Sequence, residues 1–201
     1  MKIICVGRNY DLHAKELGNE IPQEPVLFIK PDTALLKGND FYLPEFSNEI
    51  HYEVEIVVKV SKPGKYIQKE NAHKHYSEIG LGIDFTARDL QSKLKEKGLP
   101  WEKAKAFDGS AVVSPFFPKD HFDLNHLNFS LSLNDKEKQN GNSSDMIFTI
   151  DQLISYVSKF FTLRVGDLLF TGTPEGVGKV DSSDRIECFL EKQKVLDLKI
   201  N

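Results

Sequence analysis

Residues 51–58 read His-Tyr-Glu-Val-Glu-Ile-Val-Val, a stretch that places two carboxylates in an otherwise apolar run. Because β-branched and aromatic residues favour strands, it predicts a strand over His51–Val60. Alternate residues of a strand share a face, so Glu53 and Glu55 point the same way and the valine between them points to the opposite face. Two adjacent carboxylates repel each other, and the pattern fits either an edge strand with a solvated face or a site for a hard divalent cation.

A further carboxylate follows in the apolar run Gly-Leu-Gly-Ile-Asp-Phe, residues 80–85, which predicts a second strand. Asp84 is the charged residue of that run. Either it or Thr86 could simply cap the helix predicted to follow. Together with Glu53 and Glu55, however, Asp84 would complete an all-oxygen ligand set that suits Mg²⁺ or Mn²⁺, with positions left for water and substrate.

The rest of the chain is rich in strand patterns and has few helical ones. Strands are predicted at Lys2–Val6, Val26–Lys30, His51–Val60, Gly80–Phe85, Ala111–Val113, Asn128–Leu133, Asp167–Phe170, Arg185–Leu190 and Val195–Ile200. Helices are predicted at Asp11–Leu17, Glu70–Tyr76, Ala87–Lys97 and Thr149–Phe160. The polar segment 134–145 predicts a hairpin connection or a mobile loop. We therefore expect an α+β, β-rich fold in a single domain over residues 1–201.

Composition narrows the class of protein. The chain has 201 residues, 40% of them hydrophobic and 28% charged, as is typical of a globular domain. With a net charge of −4 there is no basic patch for nucleic acid, and no apolar run approaches the roughly 20 residues of a membrane-spanning helix. Cys5 and Cys188 are far apart and form no CxxC pair, which argues against a disulfide framework or a zinc site. We expect a cytoplasmic protein that binds neither nucleic acid nor membrane.

Three further segments carry residues suited to catalysis. His13 and Glu16 lie three positions apart on a predicted helix, where a carboxylate would raise the basicity of the imidazole; an ordinary surface pair is the alternative. Lys105 could neutralise a carboxylate or an enolate, or it could be a plain surface residue. The segment Thr-Gly-Thr-Pro-Glu-Gly-Val-Gly, residues 171–178, is either a simple turn or a loop whose backbone amides bind an anion.

Taken together, these segments resemble the fumarylacetoacetate hydrolase (FAH) superfamily, and most closely its short acylpyruvase and oxaloacetate decarboxylase branch. The likeness rests on motifs in the same order from Lys2 to about Glu187: GRNY, EPVLFIKP, HYEVEIVV, GIDFTARDLQ, KGLPWEKAKAFD, SSDMIF, ISYVSK and GDLLFTGTPEGVG. The resemblance implies an FAH-type mixed β-roll with a few short helices, and a homodimer. It also implies Mg²⁺ or Mn²⁺ held by Glu53, Glu55 and Asp84.

The resemblance assigns roles to residues of the pocket as well. His13 and Glu16 match the family's water-activating dyad, which is carried on a lid that closes over the substrate. Lys105 matches the catalytic lysine of the family. The positions that match its substrate-binding residues are Arg88, Gln91 and Thr173. In the family the threonine holds the substrate carboxylate.

The implied activity is cleavage of a carbon–carbon bond beside the 2-oxo acid head of a small substrate. An acylpyruvate would be hydrolysed to pyruvate and a carboxylic acid, or oxaloacetate would lose CO₂ to give pyruvate, in both cases through an enolate that the cation stabilises. The nearest alternative is an isomerase or tautomerase with the same metal site, including one for the keto–enol exchange of oxaloacetate. A more distant alternative is a non-catalytic protein that binds 2-oxo acids.

Overall fold

The computed structural model is rich in strands, and it describes residues 1–16, 18 and 20–201, with the backbone alone for Ala14. Its strands are β1 (Ile3–Gly7), β2 (Val26–Lys30), β3 (Asp40–Phe41), β4 (Ile50–Tyr52), β5 (Val54–Val60), β6 (Tyr76–Asp84), β7 (Thr86–Ala87), β8 (Ala111–Val113), β9 (Phe117–Pro118), β10 (Asn128–Leu133), β11 (Lys136–Asn142), β12 (Leu168–Phe170), β13 (Gly178–Lys179), β14 (Arg185–Leu190) and β15 (Gln193–Ile200). Its α-helices are α1 (Asp11–Glu16), α2 (Lys69–Ala72), α3 (Arg88–Glu96), α4 (Glu102–Lys105) and α5 (Ile150–Phe160). The predicted α+β, β-rich class is confirmed.

The strands of the described chain form three sheets. The largest is mixed and has the order β2-β1-β12-β5-β6-β8, with β9 also paired to β6. A five-stranded sheet has the order β11-β10-β14-β15-β3, and a three-stranded sheet has the order β13-β4-β7. β1 runs parallel to β12, and β15 runs parallel to β3. The hairpin-like pairs β5–β6, β10–β11 and β14–β15 are antiparallel.

The main hydrophobic core lies where the two larger sheets face each other. Ile56 of β5 and Leu81 of β6 belong to the same buried cluster as Leu131 of β10 and Cys188 of β14. Burial of this much apolar surface is the main favourable contribution to folding. The core therefore holds the ends of β5 and β6 in a fixed relation to each other.

The face of the largest sheet that points away from this core carries a smaller apolar cluster and, beside it, polar side chains. Val57 of β5 joins a smaller buried cluster there with Cys5 and Phe170. Glu55 shares this face because it lies two residues away along the strand. Gly82 is its partner on β6, and a Cβ atom at Gly82 would lie 2.6 Å from the Phe170 ring. Glycine is therefore needed for this close approach of strand and ring.

The two longer helices begin and end within one residue of their predicted bounds. Thr149 caps α5 through a capping box with Gln152. α3 ends before Gly98, which has a φ of 62°. The helix predicted over Asp11–Leu17 is confirmed over α1, and Leu17 lies outside the described residues. Within the described chain no helix combines the length and the apolar character needed to cross a bilayer.

The strand predicted over His51–Val60 is interrupted at Glu53. β4 pairs with β7 and β13, whereas β5 pairs with β6 and β12, so the two halves belong to different sheets. At the break, the backbone N–H of Val54 donates to the side chain of Gln139 at 2.9 Å. The apolar alternation continues through this point, so the sequence pattern alone does not reveal the change of partner strands.

Two other predictions are corrected. The helix predicted over Glu70–Tyr76 is wrong in its second half, because Tyr76 begins β6 and pairs with Val60. A single polar turn is too short to outweigh this pairing. Of the two alternatives for segment 134–145, a hairpin connection or a mobile loop, the hairpin is confirmed. Much of the segment is strand β11 rather than loop. Its residues are mostly exposed at the edge of a sheet, so they lack the apolar alternation that predicts a strand.

Candidate metal centre and active site

The three predicted metal-binding carboxylates lie together at one end of the largest sheet. Glu53 is the residue between β4 and β5, Glu55 is the second residue of β5, and Asp84 is the last residue of β6. One oxygen atom from each lies within 4.8 Å of the others, and all three residues are buried. The backbone N–H of Asp84 donates to the Glu53 carbonyl at 2.9 Å, which joins the two strand ends.

Three basic side chains surround these carboxylates. Lys105 of α4 places Nζ 2.8 Å from Glu53 Oε2 and 2.7 Å from Asp84 Oδ2. Arg88 at the start of α3 pairs with the other oxygen of Glu53. Lys30 at the end of β2 places Nζ 2.7 Å from Asp84 Oδ1. Two of the three buried anions are therefore offset by direct ion pairs.

Glu55 forms no ion pair with any basic side chain that the structure describes; its Oε2 accepts the Gly172 N–H at 2.6 Å. Burial, followed by the charges of Asp84 and Glu53, raises the pKa of Glu55 well above its ordinary value. A third anion here is costly unless a proton or a cation neutralises it. The oxygen donors, their burial and this uncompensated carboxylate fit a hard divalent cation, Mg²⁺ or Mn²⁺.

Glu53 and Lys105, which form an ion pair beside Glu55, both remain charged. Burial acts to raise the pKa of Glu53, but the charges of Lys105 and Arg88 outweigh it and hold that pKa well below its ordinary value. Burial also acts to lower the pKa of Lys105, and the charges of Asp84 and Glu53 raise it above its ordinary value instead. Near neutral pH, Glu53 is therefore an anion and Lys105 a cation.

Helix α1 brings His13 and Glu16 to the same place. His13 Nδ1 lies 3.2 Å from Glu16 Oε2, and His13 is buried. The Glu16 carboxylate also accepts the backbone N–H of Gly176 at 3.1 Å, in the loop after β12. A carboxylate at Nδ1 leaves Nε2 as the ring nitrogen available for proton transfer. Glu16 thus orients the imidazole and joins α1 to that loop.

One cavity, with about 40 Å³ open to a water-sized molecule, connects these groups. The predicted site residues that line it are His13, Glu53, Glu55, Asp84, Arg88, Gln91, Lys105 and Thr173. Glu16 reaches the cavity through His13. Arg88 Nη1 donates to Gln91 Oε1 at 2.6 Å, which fixes both side chains on one turn of α3. The structure therefore brings the predicted site residues together, although they come from segments far apart in the sequence.

The sequence matches a known family over almost its entire length. The family model described as fumarylacetoacetate hydrolase, C-terminal, matches residues 2–201. The chain belongs to this family. The resemblance seen in the motifs is confirmed, and the mixed β-roll that it implies agrees with the sheets described above.

Similar proteins in the family include enzymes with different named activities. An oxaloacetate tautomerase of Escherichia coli is 45% identical over 188 residues, covering 92% of this chain and 86% of that protein. A mitochondrial oxaloacetate decarboxylase of Dictyostelium discoideum is 45% identical over 190 residues, covering 93% and 87%. The crystal structure of fumarylpyruvate hydrolase from Pseudomonas aeruginosa with Mn²⁺ and pyruvate has a TM-score of 0.94 and 36% identity, covering 100% and 89%. The chain is an enzyme of the family, and the alternative of a non-catalytic binding protein loses its support.

Sequence reasoning missed four polar residues at or beside the cavity. Arg8 and Lys95 line it directly. Lys30 contacts the Asp84 carboxylate, and Gln139 contacts Thr173 in the loop after β12. A lysine that ends the apolar run Val-Leu-Phe-Ile-Lys is a usable signal for a buried charge. Gln139 and Lys95 stand among charged residues that predict only solvated surface.

Proposed function

We propose that this enzyme uses a divalent cation to form the enolate of a small 2-oxo acid, with oxaloacetate as the substrate and keto–enol exchange as the reaction. The proposal rests on the placement of the His13–Glu16 pair beside the buried Glu53, Glu55 and Asp84 carboxylates. Removal of a proton next to a carbonyl is accelerated by a general base beside a Lewis acid that stabilises the enolate. The two relatives named for oxaloacetate support the choice of substrate.

Glu53, Glu55 and Asp84 would hold the cation, Mg²⁺ or Mn²⁺. When bound, the cation supplies Lewis-acid stabilisation of negative charge on the oxygen of the 2-oxo group. The fumarylpyruvate hydrolase relative, whose structure contains Mn²⁺, supports the choice of metal class.

The side chains of the chain would position the substrate and move its proton. Lys105 stays cationic, so its charge favours a bound anion. Thr173 lines the same cavity and would donate its hydroxyl proton to the substrate carboxylate. His13, oriented by Glu16, would accept the proton from the carbon beside the carbonyl and deliver it to the enolate oxygen or back to carbon.

A cluster of cations favours a substrate with a second carboxylate. Arg8 and Lys95 line the cavity together with Arg88. Burial, followed by the charges of Arg8 and Arg88, lowers the pKa of Lys95, because these cations lie close to one another. A dianionic substrate such as oxaloacetate complements this charge better than an acylpyruvate with an uncharged tail.

Cleavage to pyruvate is the second candidate function. His13 with Glu16 could instead activate a water against the distal carbonyl of an acylpyruvate, and the fumarylpyruvate hydrolase relative supports this reaction class. Loss of CO₂ from oxaloacetate needs no water and supplies pyruvate as well. All three reactions pass through an enolate, but keto–enol exchange alone gives no pyruvate, so product analysis separates them.

The test follows three reactions with Mn²⁺ or with EDTA: decay of the oxaloacetate enol, pyruvate from oxaloacetate, and pyruvate from acetylpyruvate. We expect Mn²⁺-dependent enol decay with little pyruvate, and a loss of about 10²- to 10⁴-fold in His13→Ala. His121→Ala, at an exposed histidine, is the matched control and should keep full activity. Pyruvate as the main product would favour the second candidate, and activity that survives EDTA would refute metal dependence.

The single domain, the homodimer and the cytoplasmic location stay predictions, as does the absence of nucleic-acid binding. The dimer follows from the family resemblance, and sedimentation of the purified chain tests it. Location is a separate question, because the oxaloacetate decarboxylase relative is mitochondrial.

A further inference from the structure

Gln139 is a buried polar residue in an otherwise exposed stretch of strand. It is 1% exposed in β11, whereas its neighbours Lys138 and Asn140 are exposed. A buried amide is costly unless its donors and acceptors find partners. The partners of Gln139 are therefore informative about why a polar side chain is placed there.

The Gln139 side chain joins two parts of the active site. Its Oε1 accepts the backbone N–H of Val54 at 2.9 Å, between the two glutamates of the metal-binding strand. Its Nε2 donates to Thr173 Oγ1 at 2.9 Å and to the Pro174 carbonyl at 2.9 Å. One side chain thus links the strand that would hold the cation to the loop that would hold the substrate carboxylate.

The chemistry of these partners fixes the orientation of the amide. The Val54 N–H can only donate and the Pro174 carbonyl can only accept, so Oε1 must face the former and Nε2 the latter. The amide nitrogen then faces the Thr173 oxygen, which must accept. The described part of the chain offers no acceptor for the hydroxyl proton of Thr173, and this buried side chain lines the cavity.

We propose that Gln139 is a positioning residue that holds the Thr173 hydroxyl as a hydrogen-bond donor directed into the cavity. The inference rests on the proposed function, because it takes the ligand of Thr173 to be the carboxylate of a 2-oxo acid. A hydroxyl whose oxygen already accepts from an amide presents its proton to an anion. Gln139 would in this way set the affinity for substrate without touching it.

Gln139→Glu tests this with almost no change in shape. A carboxylate at this position still accepts from Val54 and would also accept the proton of Thr173, so that the Thr173 oxygen turns its lone pairs toward the substrate anion. The hydroxyl would then repel the group that it should bind. The oxygen that replaces Nε2 also loses the hydrogen bond to the Pro174 carbonyl, which can only accept. Gln193→Glu, at an exposed glutamine, adds the same charge away from the site and is the matched control.

The experiment is calorimetric titration of the Mn²⁺-loaded enzyme with oxalate, a mimic of the pyruvate enolate, after Mn²⁺ affinity has been measured separately. We expect Gln139→Glu to raise the Kd of oxalate by about 10- to 100-fold, the effect of one hydrogen bond to a charged group. Mn²⁺ affinity should not fall, since no metal-binding carboxylate is altered and an added anion nearby favours a cation. In steady-state assays the KM should rise by a similar factor while kcat stays within a few-fold.

A Thr173→Val background separates positioning from a general structural effect. There, Gln139→Glu should cause a much smaller loss of oxalate affinity, limited to the repulsion by its added charge, because the hydroxyl that it reorients is absent. Gln139→Met removes the amide without adding charge, and its loss of oxalate affinity should disappear in that background.

Three outcomes would overturn the inference. Unchanged oxalate affinity in Gln139→Glu would show that the amide does not control Thr173. An equal loss in the Thr173→Val background would show that Gln139 acts by another route. Failure of the Mn²⁺-loaded wild type to bind oxalate would overturn the proposed function together with the inference, whereas the first two results leave that function intact.

Discussion

The buried ammonium group of Lys30 holds together the backbone and the carboxylate on one side of the candidate metal centre. Lys30 is fully buried at the end of β2, where its Nζ donates to the Ser110 carbonyl and hydroxyl at 3.0 Å each. It also faces Asp84 Oδ1 at 2.7 Å and donates to the carbonyls of Phe85 and Lys105. Removal of one partner from such a set leaves buried polar groups without compensation.

Lys30→Met should therefore lower the free energy of unfolding by about 3–5 kcal/mol, measured by urea denaturation. Met keeps the apolar stem but removes the charge and the donors. Lys192→Met, at an exposed lysine, is the control and should stay within about 0.5 kcal/mol of the wild type. A loss as small as that of the control would mean that the buried ion pair adds no net stability.

Lys95 is the residue that most directly tests the preference for a dianionic substrate. Lys95→Met should raise the KM for oxaloacetate about tenfold and change the KM for acetylpyruvate by less than about twofold, because only the former carries a second carboxylate. Lys93→Met, at an exposed lysine of the same helix, should leave both values unchanged. Equal effects on the two substrates would argue against a subsite for the distal carboxylate.

Asp167 gives a pH dependence that is separate from the active site. Its carboxylate accepts the backbone N–H groups of Lys2 at 3.0 Å and Arg164 at 2.8 Å, and it pairs with the Lys2 ammonium group. Burial acts to raise the pKa of Asp167, but the hydrogen bonds from Lys2 and Arg164 outweigh it and lower that pKa. The folded pKa lies below the unfolded pKa, so the stabilisation is present above the unfolded value and is lost as pH falls through the folded value.

Asp167→Asn should accordingly be about 1.5–3 kcal/mol less stable than the wild type at pH 7. The difference should shrink as pH falls below about 3.9, where the unfolded aspartate of the wild type takes up its proton. Urea unfolding of both proteins at a series of pH values checks this. A difference that does not depend on pH would contradict the assignment of the stabilisation to the charged form.

At the scale of single residues, the sequence predicts those site residues whose side chains differ in character from their neighbours along the chain. Glu53, Glu55 and Asp84 stand out because carboxylates interrupt apolar strands. Gln139 does not stand out, because its neighbours are polar and its burial depends on strands that lie elsewhere in the chain. The family resemblance was needed to single out Lys105 from other lysines.

At the scale of elements, residues 171–177, the loop after β12, contact two separate parts of the site. The Thr171 hydroxyl donates to the Ile56 carbonyl at 2.9 Å, and the Gly172 N–H donates to Glu55. Farther along, the Gly176 N–H donates to Glu16 of the dyad. The loop thereby joins β5, which carries Glu55, to α1.

Gly176→Ala should disturb this connection. Gly176 has a φ of 91°, and a Cβ atom there would lie 2.1 Å from the Lys138 carbonyl oxygen, so the loop must shift away from Lys138 and its contact with Glu16 is disturbed. We expect a stability loss of about 1–3 kcal/mol and a clear loss of kcat from a misplaced dyad.

Gly166→Ala is the matched control for backbone strain. Gly166 has a φ of 86°, and a Cβ atom there would have no heavy atom within 4 Å. It should cost about 1–2 kcal/mol without affecting kcat. If both variants lose kcat equally, strain rather than the contact with Glu16 is responsible.

Helices and strands are predictable from the sequence where their caps or their apolar periodicity are clear. α5 has its cap and apolar face in the sequence, and β10 has alternating apolar residues. β11 lacks such a pattern because it is an exposed edge strand, and only its turn at Asn134 and Asp135, with φ of 50° and 61°, has residues typical of a hairpin.

At the scale of the whole molecule, the site depends on strand order. β5 contributes Glu55, β6 contributes Asp84, and the loop after β12 contributes Thr173, and these strands are neighbours in the sheet although distant in sequence. Periodicity cannot supply such an order, because it describes one strand at a time. The family resemblance implied that the separated motifs form one site, and the pairing of β5 with β6 and β12 shows why they do.

The central claim is that Glu53, Glu55 and Asp84 hold a divalent cation. Calorimetric titration of the metal-free enzyme with Mn²⁺ tests it most directly, with Glu55→Gln and Asp84→Asn as variants and Asp120→Asn, at an exposed aspartate, as control. We predict one ion per chain in the wild type and the control, and affinity about 100-fold lower or undetectable in the two variants. Absence of binding to the wild type, or equal affinity in all four proteins, would contradict the claim.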